Sequence, residues 1–283
     1  MLGDPLRLSH SRIGMMQGRL SPINNGRIQS FPSENWEKEM IEASELKFRK
    51  VEWTIDSEDF YSNPLMSIDG CNRIIDSKSK SKLDIPSVTC DYFMENPPWK
   101  GSRDEILRNM KSIISGMSAI DASILVVPLV DNSSVKGSSE AKSVVDFFNS
   151  IHNELIKSNV KIAIESDFGP QEFHAFMERL DPKYFSVNYD IGNSASLGFN
   201  PVEEFAFIGD RISNVHVKDR ILNGTTVPLG EGAANFEQVF KCLKEVNYEG
   251  NYILQTARAS DGDHSASIIR YRNQVVNWLE ESL

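Results

Sequence analysis

The sequence predicts an α/β fold, a single-domain (β/α)8 TIM barrel over residues 1–283, and three observations carry that prediction. Short runs rich in β-branched residues alternate with amphipathic stretches, eight of each kind in the count of a barrel. The runs are almost continuously apolar, as parallel strands buried on both faces must be. The turn after the first run reads GRLSPINNG and lacks the glycine spacing of a dinucleotide-binding open sheet.

Taken in order, the strands are expected at Ile13–Gln17, Lys50–Ile55, Ile85–Cys90, Ile124–Val130, Val160–Glu165, Ser186–Asp190, Asn214–Val217 and Asn251–Gln255. Ser102 and Glu105 form a capping-box pattern ahead of a helix whose face repeats Ile106, Met110, Ile113, Ile114 and Met117. Val144, Phe148, Ile151 and Leu155 predict a second stripe on one helix. Asn200, followed by Pro201, and Asn235 read as helix N-caps. The last helix should turn Ile268, Tyr271, Val275, Trp278 and Leu279 inward. No short-period repeat or linker interrupts the chain.

Composition excludes several classes of function. The formal net charge is -10, so nucleic acid and anionic membrane surfaces are poor partners. The mean hydropathy of -0.34 is that of an ordinary globular protein. The longest apolar run, Ile124 to Val130, is too short to cross a bilayer. Residues Met1 to His10 show no apolar signal-peptide core. Cys71, Cys90 and Cys242 fit neither a disulfide framework nor a zinc cluster, and read as reduced thiols of a cytoplasmic protein.

Barrel chemistry sits at the carboxyl ends of the strands. Those ends carry Gln17 and Arg19, Glu52, Asp91, Glu165, Asp190, His216 with Lys218 and Arg220, and Gln255 with Arg258. A charge closing an apolar strand is costly unless compensated. A divalent cation compensates two carboxylates at once, and an imidazole is a common third ligand. Each acid alone reads equally well as a rim salt bridge to Lys218, Arg220 or Arg258. Three candidate ligands on consecutive strands, Glu165, Asp190 and His216, favour metal.

The segments IGMMQGRLSP, VEWTID, KIAIESD, NYDIGNSASLGFNP, NVHVKDR and LGEGAANFEQVFKCLKEVNYEGNYILQTAR resemble the xylose-isomerase-like TIM-barrel family, within it the sugar-phosphate isomerase/epimerase branch. The resemblance runs over essentially the whole chain. It implies one divalent metal (Mn, Co, Mg or Zn) held by Glu165, Asp190 and His216, with Gln255 where the family has a fourth, glutamate ligand. It also places Asn193 where epimerases often have histidine.

In epimerase relatives the two ligand glutamates are the acid and base on opposite faces of an enediolate. Gln255 can coordinate through its carbonyl oxygen but cannot exchange a proton at neutral pH. The resemblance therefore implies an isomerase of a sugar or sugar phosphate, with Glu165 as the single base, since aldose–ketose conversion needs one group on one face. The alternatives are a 3-epimerase whose second acid/base is Glu52, Asp91 or Glu231, another metal-assisted reaction, or a sugar-binding barrel that has lost catalysis. A nuclease like the endonuclease IV branch is disfavoured by only five histidines and a pI near 5.1.

Arg19, Lys218, Arg220 and Arg258 beyond strand ends suggest an anionic substrate, with rim salt bridges as the alternative. Gly230 and Gly232, flanking Glu231, could offer amides to a phosphate. Trp53, Phe93 and Trp99 could wall a sugar, although such residues are more often core. His152 and His174 are expected on helices away from the site, His10 before strand one, and His264 near the pocket. A homo-oligomer is compatible with everything above.

Overall fold

The computed structural model describes residues 11–23, 26–97, 99, 100 and 102–281. The expectations for Met1 to His10 lie outside the described residues. Eight parallel strands close into a barrel: Ile13–Met16, Val51–Ile55, Ser87–Cys90, Ile124–Leu129, Lys161–Ser166, Phe185–Asp190, Ile212–Val217 and Asn251–Leu254. Each strand pairs with its neighbours in sequence, and the first closes on the last through Ile13↔Tyr252 and Met15↔Leu254. Helices between successive strands pack around the outside, which completes a single TIM-barrel domain.

The differences from the expected boundaries are local. Strand three begins at Ser87 because Pro86 has no N–H to place in the ladder; Lys50 and Asp84 form only an isolated bridge. The helix Arg103–Ala119 starts after Ser102 as expected, yet the Ser102 side chain makes no cap bond. The stripe expected on one helix spans two, Gly137–Ser150 and His152–Ser158, because the chain opens at Ile151 with ψ near 2°. Its four apolar residues are buried all the same. Asn200 and Asn235 do cap their helices, accepting from the amides of Val202 at 2.9 Å and Gln238 at 3.1 Å. In the last helix, His264–Glu281, Trp278 stacks on Phe236 at 4.1 Å.

Two layers of opposite character fill the molecule. Aliphatic and aromatic side chains fill the space between barrel and helices, Trp53, Phe93, Phe148 and Phe185 among them, all essentially without exposure. Inside the barrel a polar layer is buried: Glu52, Ser87, Thr89, Asn188, Asn214 and His216 belong to it. Such a layer is tolerable only if its groups satisfy one another. The three cysteines are free and buried. Among the described residues no helix is long and apolar enough to cross a membrane.

One loop shows how the site's rim is held. Asp219 is fully buried and accepts from the amides of Gly230 at 2.8 Å, Gly232 at 2.9 Å and Ala234 at 3.2 Å. A Cβ at Gly232 would collide with that carboxylate, so glycine is what lets the amide approach. These amides already serve an internal anion, and the expectation that Gly230 and Gly232 offer them to a phosphate is corrected. Asp219→Ala would remove three charge-assisted bonds from part-buried amides and should cost about 2 kcal/mol, read as a lowered thermal midpoint.

Candidate active site

The site begins with Glu52 on strand two, which reaches into the barrel and is fully buried. Its carboxylate accepts from Ser87 Oγ and Thr89 Oγ1, both at 2.6 Å, and from Asn214 Nδ2 at 2.9 Å. The fourth donor is His216 Nε2 at 2.7 Å. Because a carboxylate only accepts, this contact fixes the proton on Nε2 and turns Nδ1 toward strands five and six. The same logic runs on through the amides. Asn214 Nδ2 also donates to Asn188 Oδ1 at 2.9 Å, so the Asn188 NH₂ must face the other way. There it lies 2.8 Å from Glu165 Oε2 and 3.1 Å from His216 Nδ1.

Glu165, at the end of strand five, is held again by Asn193 Nδ2, 2.5 Å from Oε1. Asp190 ends strand six directly opposite His216 in the ladder and caps the helix Ile191–Leu197 by accepting from the Asn193 amide at 2.9 Å. Its other oxygen lies 2.6 Å from Lys218 Nζ. Gly192 permits this packing: a Cβ there would lie 2.8 Å from Lys218 Cγ. One oxygen or nitrogen each from Glu165, Asp190 and His216 fall within 4.8 Å of one another, so the three can hold a metal ion.

Charge and donor chemistry test that fit. Glu52, Glu165 and Asp190 are buried carboxylates facing the Lys218 ammonium and the His216 ring, which leaves one negative charge with the ring protonated and two once a cation displaces its Nδ1 proton. One divalent cation would balance them. Burial works against charge on His216, but Glu52 and then Glu165 outweigh it and push the ring up to about 10. Burial likewise raises Glu165, yet His216 and Lys218 bring its carboxyl below the usual range. Asp190 is left above its ordinary value, burial outweighing Lys218.

Gln255 supplies a fourth observation. Arg19, a donor only, places a guanidinium nitrogen 3.2 Å from Gln29 Oε1, while Asp91 accepts from Gln29 Nε2 at 2.6 Å. Gln29 Oε1 then accepts from Gln255 Nε2 at 2.7 Å, which orients the Gln255 amide. Its Oε1 is buried without a hydrogen-bond partner. The residues present therefore fit a divalent ion, with an amide oxygen available where a carboxylate would add charge.

Above this floor lies a cavity of about 560 Å³ at the strand ends. Of the residues expected to bind substrate, Asp91, Asn193, Lys218 and Arg220 line it, as do Glu165 and Gln255. Burial, Asp56 and Glu165 push the Asp91 carboxyl up to about 7. Arg220 bonds Asn193 Oδ1 at 2.7 Å and the Gly224 carbonyl, which ties the far wall together.

None of the other residues expected to bind substrate lines the cavity. Glu52 lies beneath His216 with all its acceptor capacity engaged, so it positions the ring and does not face substrate. Gln17 is fully buried and accepts from the Thr54 amide. Arg19 and Arg258 do not line the cavity: Arg19 holds Gln29 and the Ile28 carbonyl, Arg258 the carbonyls of Gly18 and Ser21. Glu231 is exposed and outside the cavity. Trp53 and Phe93 are core, Trp99 packs against the core, and none of the three lines the cavity. His152 pairs with Asp181, His174 with the Phe207 carbonyl, and His264 with the Ala259 amide. Asn188, Asn214 and Gln29 were missed. The first two had a signal, since each sits two residues before a site residue on its strand and so on the same face. Gln29 lies in a loop and had none.

Fold and site together define a class: a TIM barrel whose strand ends assemble a carboxylate–imidazole cluster able to hold a metal under a polar cavity. A family model for the xylose isomerase-like TIM barrel matches residues 41–280, and the chain belongs to that family. SgbU of Haemophilus influenzae is 24% identical over 267 residues, 87% of this chain and 92% of that one. The L-ribulose-5-phosphate 3-epimerase UlaE of Salmonella heidelberg is 24% identical over 255 residues, 86% of this chain and 89% of that one. A xylose isomerase-like TIM barrel protein from Mycobacterium smegmatis, solved in complex with magnesium, superposes with a TM-score of 0.71 at 15% identity, over 97% of this chain and 99% of that one.

Proposed function

We propose that the protein is a divalent-metal-dependent isomerase of a sugar or sugar phosphate, moving a proton at a carbon beside a carbonyl with Glu165 as base. The observation that carries this reading is the convergence of Glu165, Asp190 and His216 within 4.8 Å under the cavity. A bound cation would polarise the substrate carbonyl and neighbouring hydroxyl and so acidify the C–H between them. Glu165, fixed by Asn188 and Asn193, takes that proton; Lys218 and Arg220 orient the sugar oxygens. The polar floor keeps His216 in the tautomer a metal ligand requires. The relatives' naming as epimerases and the magnesium-bound neighbour support the reading. So does the reducing environment, expected to be cytoplasmic, that free buried thiols suit.

The single-base route to an aldose–ketose conversion is the first form of this reading. Epimerisation is the second, and it is favoured by Asp91, a carboxyl that shares the cavity with Glu165. Chelator-treated protein should show no solvent-deuterium incorporation into ketoses in D₂O, and Mn²⁺ should restore it. Unchanged incorporation after metal removal would sink the proposal.

A further inference from the structure

We infer that Asp91 is the second acid/base, standing in for the carboxylate that Gln255 cannot supply, and that the reaction is therefore an epimerisation. The inference rests on the sugar-isomerase reading and selects within it. Three acids were open from the sequence. Glu52 is sealed beneath His216 with four donors on its oxygens, and Glu231 is exposed outside the cavity. Asp91 is the one of the three that lines the cavity.

Its placement suits the task. Asp91 follows strand three and Glu165 ends strand five, with Pro128 and Val130 of the intervening strand end lining the cavity between them. Neighbouring strands are about 4.8 Å apart, so the two backbones stand about 10 Å from each other, room for a sugar carbon reached from two sides. Asp167 also lines the cavity but follows Glu165 by two residues and shares its side, and Asp131 is exposed at the rim. Among the described residues only Gln29 bonds the Asp91 carboxylate, at 2.6 Å. That same Gln29 holds Gln255. The carboxylate missing from strand eight is thus replaced two hydrogen bonds away, and its carboxyl, held near 7, exists in both forms at neutral pH.

The step balances without a further reactant. Glu165 removes the proton from the carbon beside the carbonyl, and the C–H pair flows into an enediolate. Asp91 delivers its proton to the opposite face as the carbonyl re-forms, which inverts that carbon. Glu165 then loses its proton to water and Asp91 takes one from water. For the other epimer the roles exchange.

The test follows C3 deuteration and interconversion of L-ribulose and L-xylulose, free and as 5-phosphates, in D₂O with saturating Mn²⁺. Wild type should exchange both sugars of a pair and interconvert them. Asp91→Asn should slow interconversion at least about 100-fold while one epimer still exchanges its C3 proton. Glu165→Gln should leave exchange, if any, only in the other epimer. Mn²⁺ affinity of Asp91→Asn should match wild type, since Asp91 is not a ligand. Interconversion by Asp91→Asn at the wild-type rate overturns the inference, as does loss of both exchanges together with Mn²⁺ binding, which marks a structural role. Wild type that converts the ketoses to aldoses, with Asp91→Asn equally active, overturns the inference and leaves the isomerase reading standing. Wild type that exchanges no proton in any of these sugars overturns that reading and the inference with it.

Discussion

Glu165→Gln should lower turnover by at least about 1,000-fold at saturating Mn²⁺, the largest catalytic effect expected from a single substitution in this chain. A positioned base contributes about 100- to 10,000-fold, and an amide cannot take its place. The environment sharpens the effect. Asn188 and Asn193 both donate to Glu165, at 2.8 and 2.5 Å, so a glutamine must turn its NH₂ against one of two NH₂ groups. Neither neighbour can flip freely: Asn188 Oδ1 is engaged by Asn214 and Asn193 Oδ1 by Arg220. A loss of about 1–2 kcal/mol of stability should accompany the catalytic loss. Steady-state rates at several Mn²⁺ concentrations separate the lost base from weakened metal binding. Full turnover by the variant would exclude Glu165 as the base.

Glu52→Ala should give the largest loss of stability in the metal-free protein, about 4 kcal/mol, because it leaves the His216 imidazolium buried without its partner and strands the Asn214 amide. Mn²⁺ affinity should fall about 10- to 100-fold, as when a residue that orients a ligand is lost. The pH dependence has a definite sign. His216 is raised from 6.5 to about 10, so its contribution is full below 6.5 and is lost as pH climbs toward 10. Glu52 is lowered from 4.5, burial opposing and His216 prevailing, so its contribution is present above 4.5 and lost in acid. The metal-free wild type should therefore melt highest between about pH 4.5 and 6.5 as far as this pair is concerned, and its midpoint should decline on the alkaline side. Glu52→Ala should flatten that decline. A midpoint that falls equally in both proteins would show that the pair does not govern it.

The fold was legible because barrel strands declare themselves locally. A parallel strand covered on both faces must be apolar along its length, and eight such runs between amphipathic helices admit few closed arrangements. The candidate triad was legible for a related reason: Glu165, Asp190 and His216 are charged groups closing apolar strands, a pattern visible without knowing what they face. Each marks a strand end whatever the neighbouring strands do.

What the sequence could not decide was direction, the side on which a polar group spends its hydrogen bonds. Glu52 and Asp91 look alike as acids at consecutive strand ends, yet one is buried under four donors and the other opens on the cavity. Arg19 and Arg258 sit in sequence beside the site, yet Arg19 is spent on the Ile28 carbonyl and the Gln29 side chain and Arg258 on backbone carbonyls. Gln29 enters only because a loop brings it between Arg19, Asp91 and Gln255, the last of them 226 positions away. By itself the sequence determined the barrel, the strand ends and the candidate triad, because burial of apolar runs and the cost of charging them are local matters. Only the tertiary structure decided which polar groups face substrate, because the partners that claim a donor or acceptor come from strands and loops that the barrel alone makes neighbours.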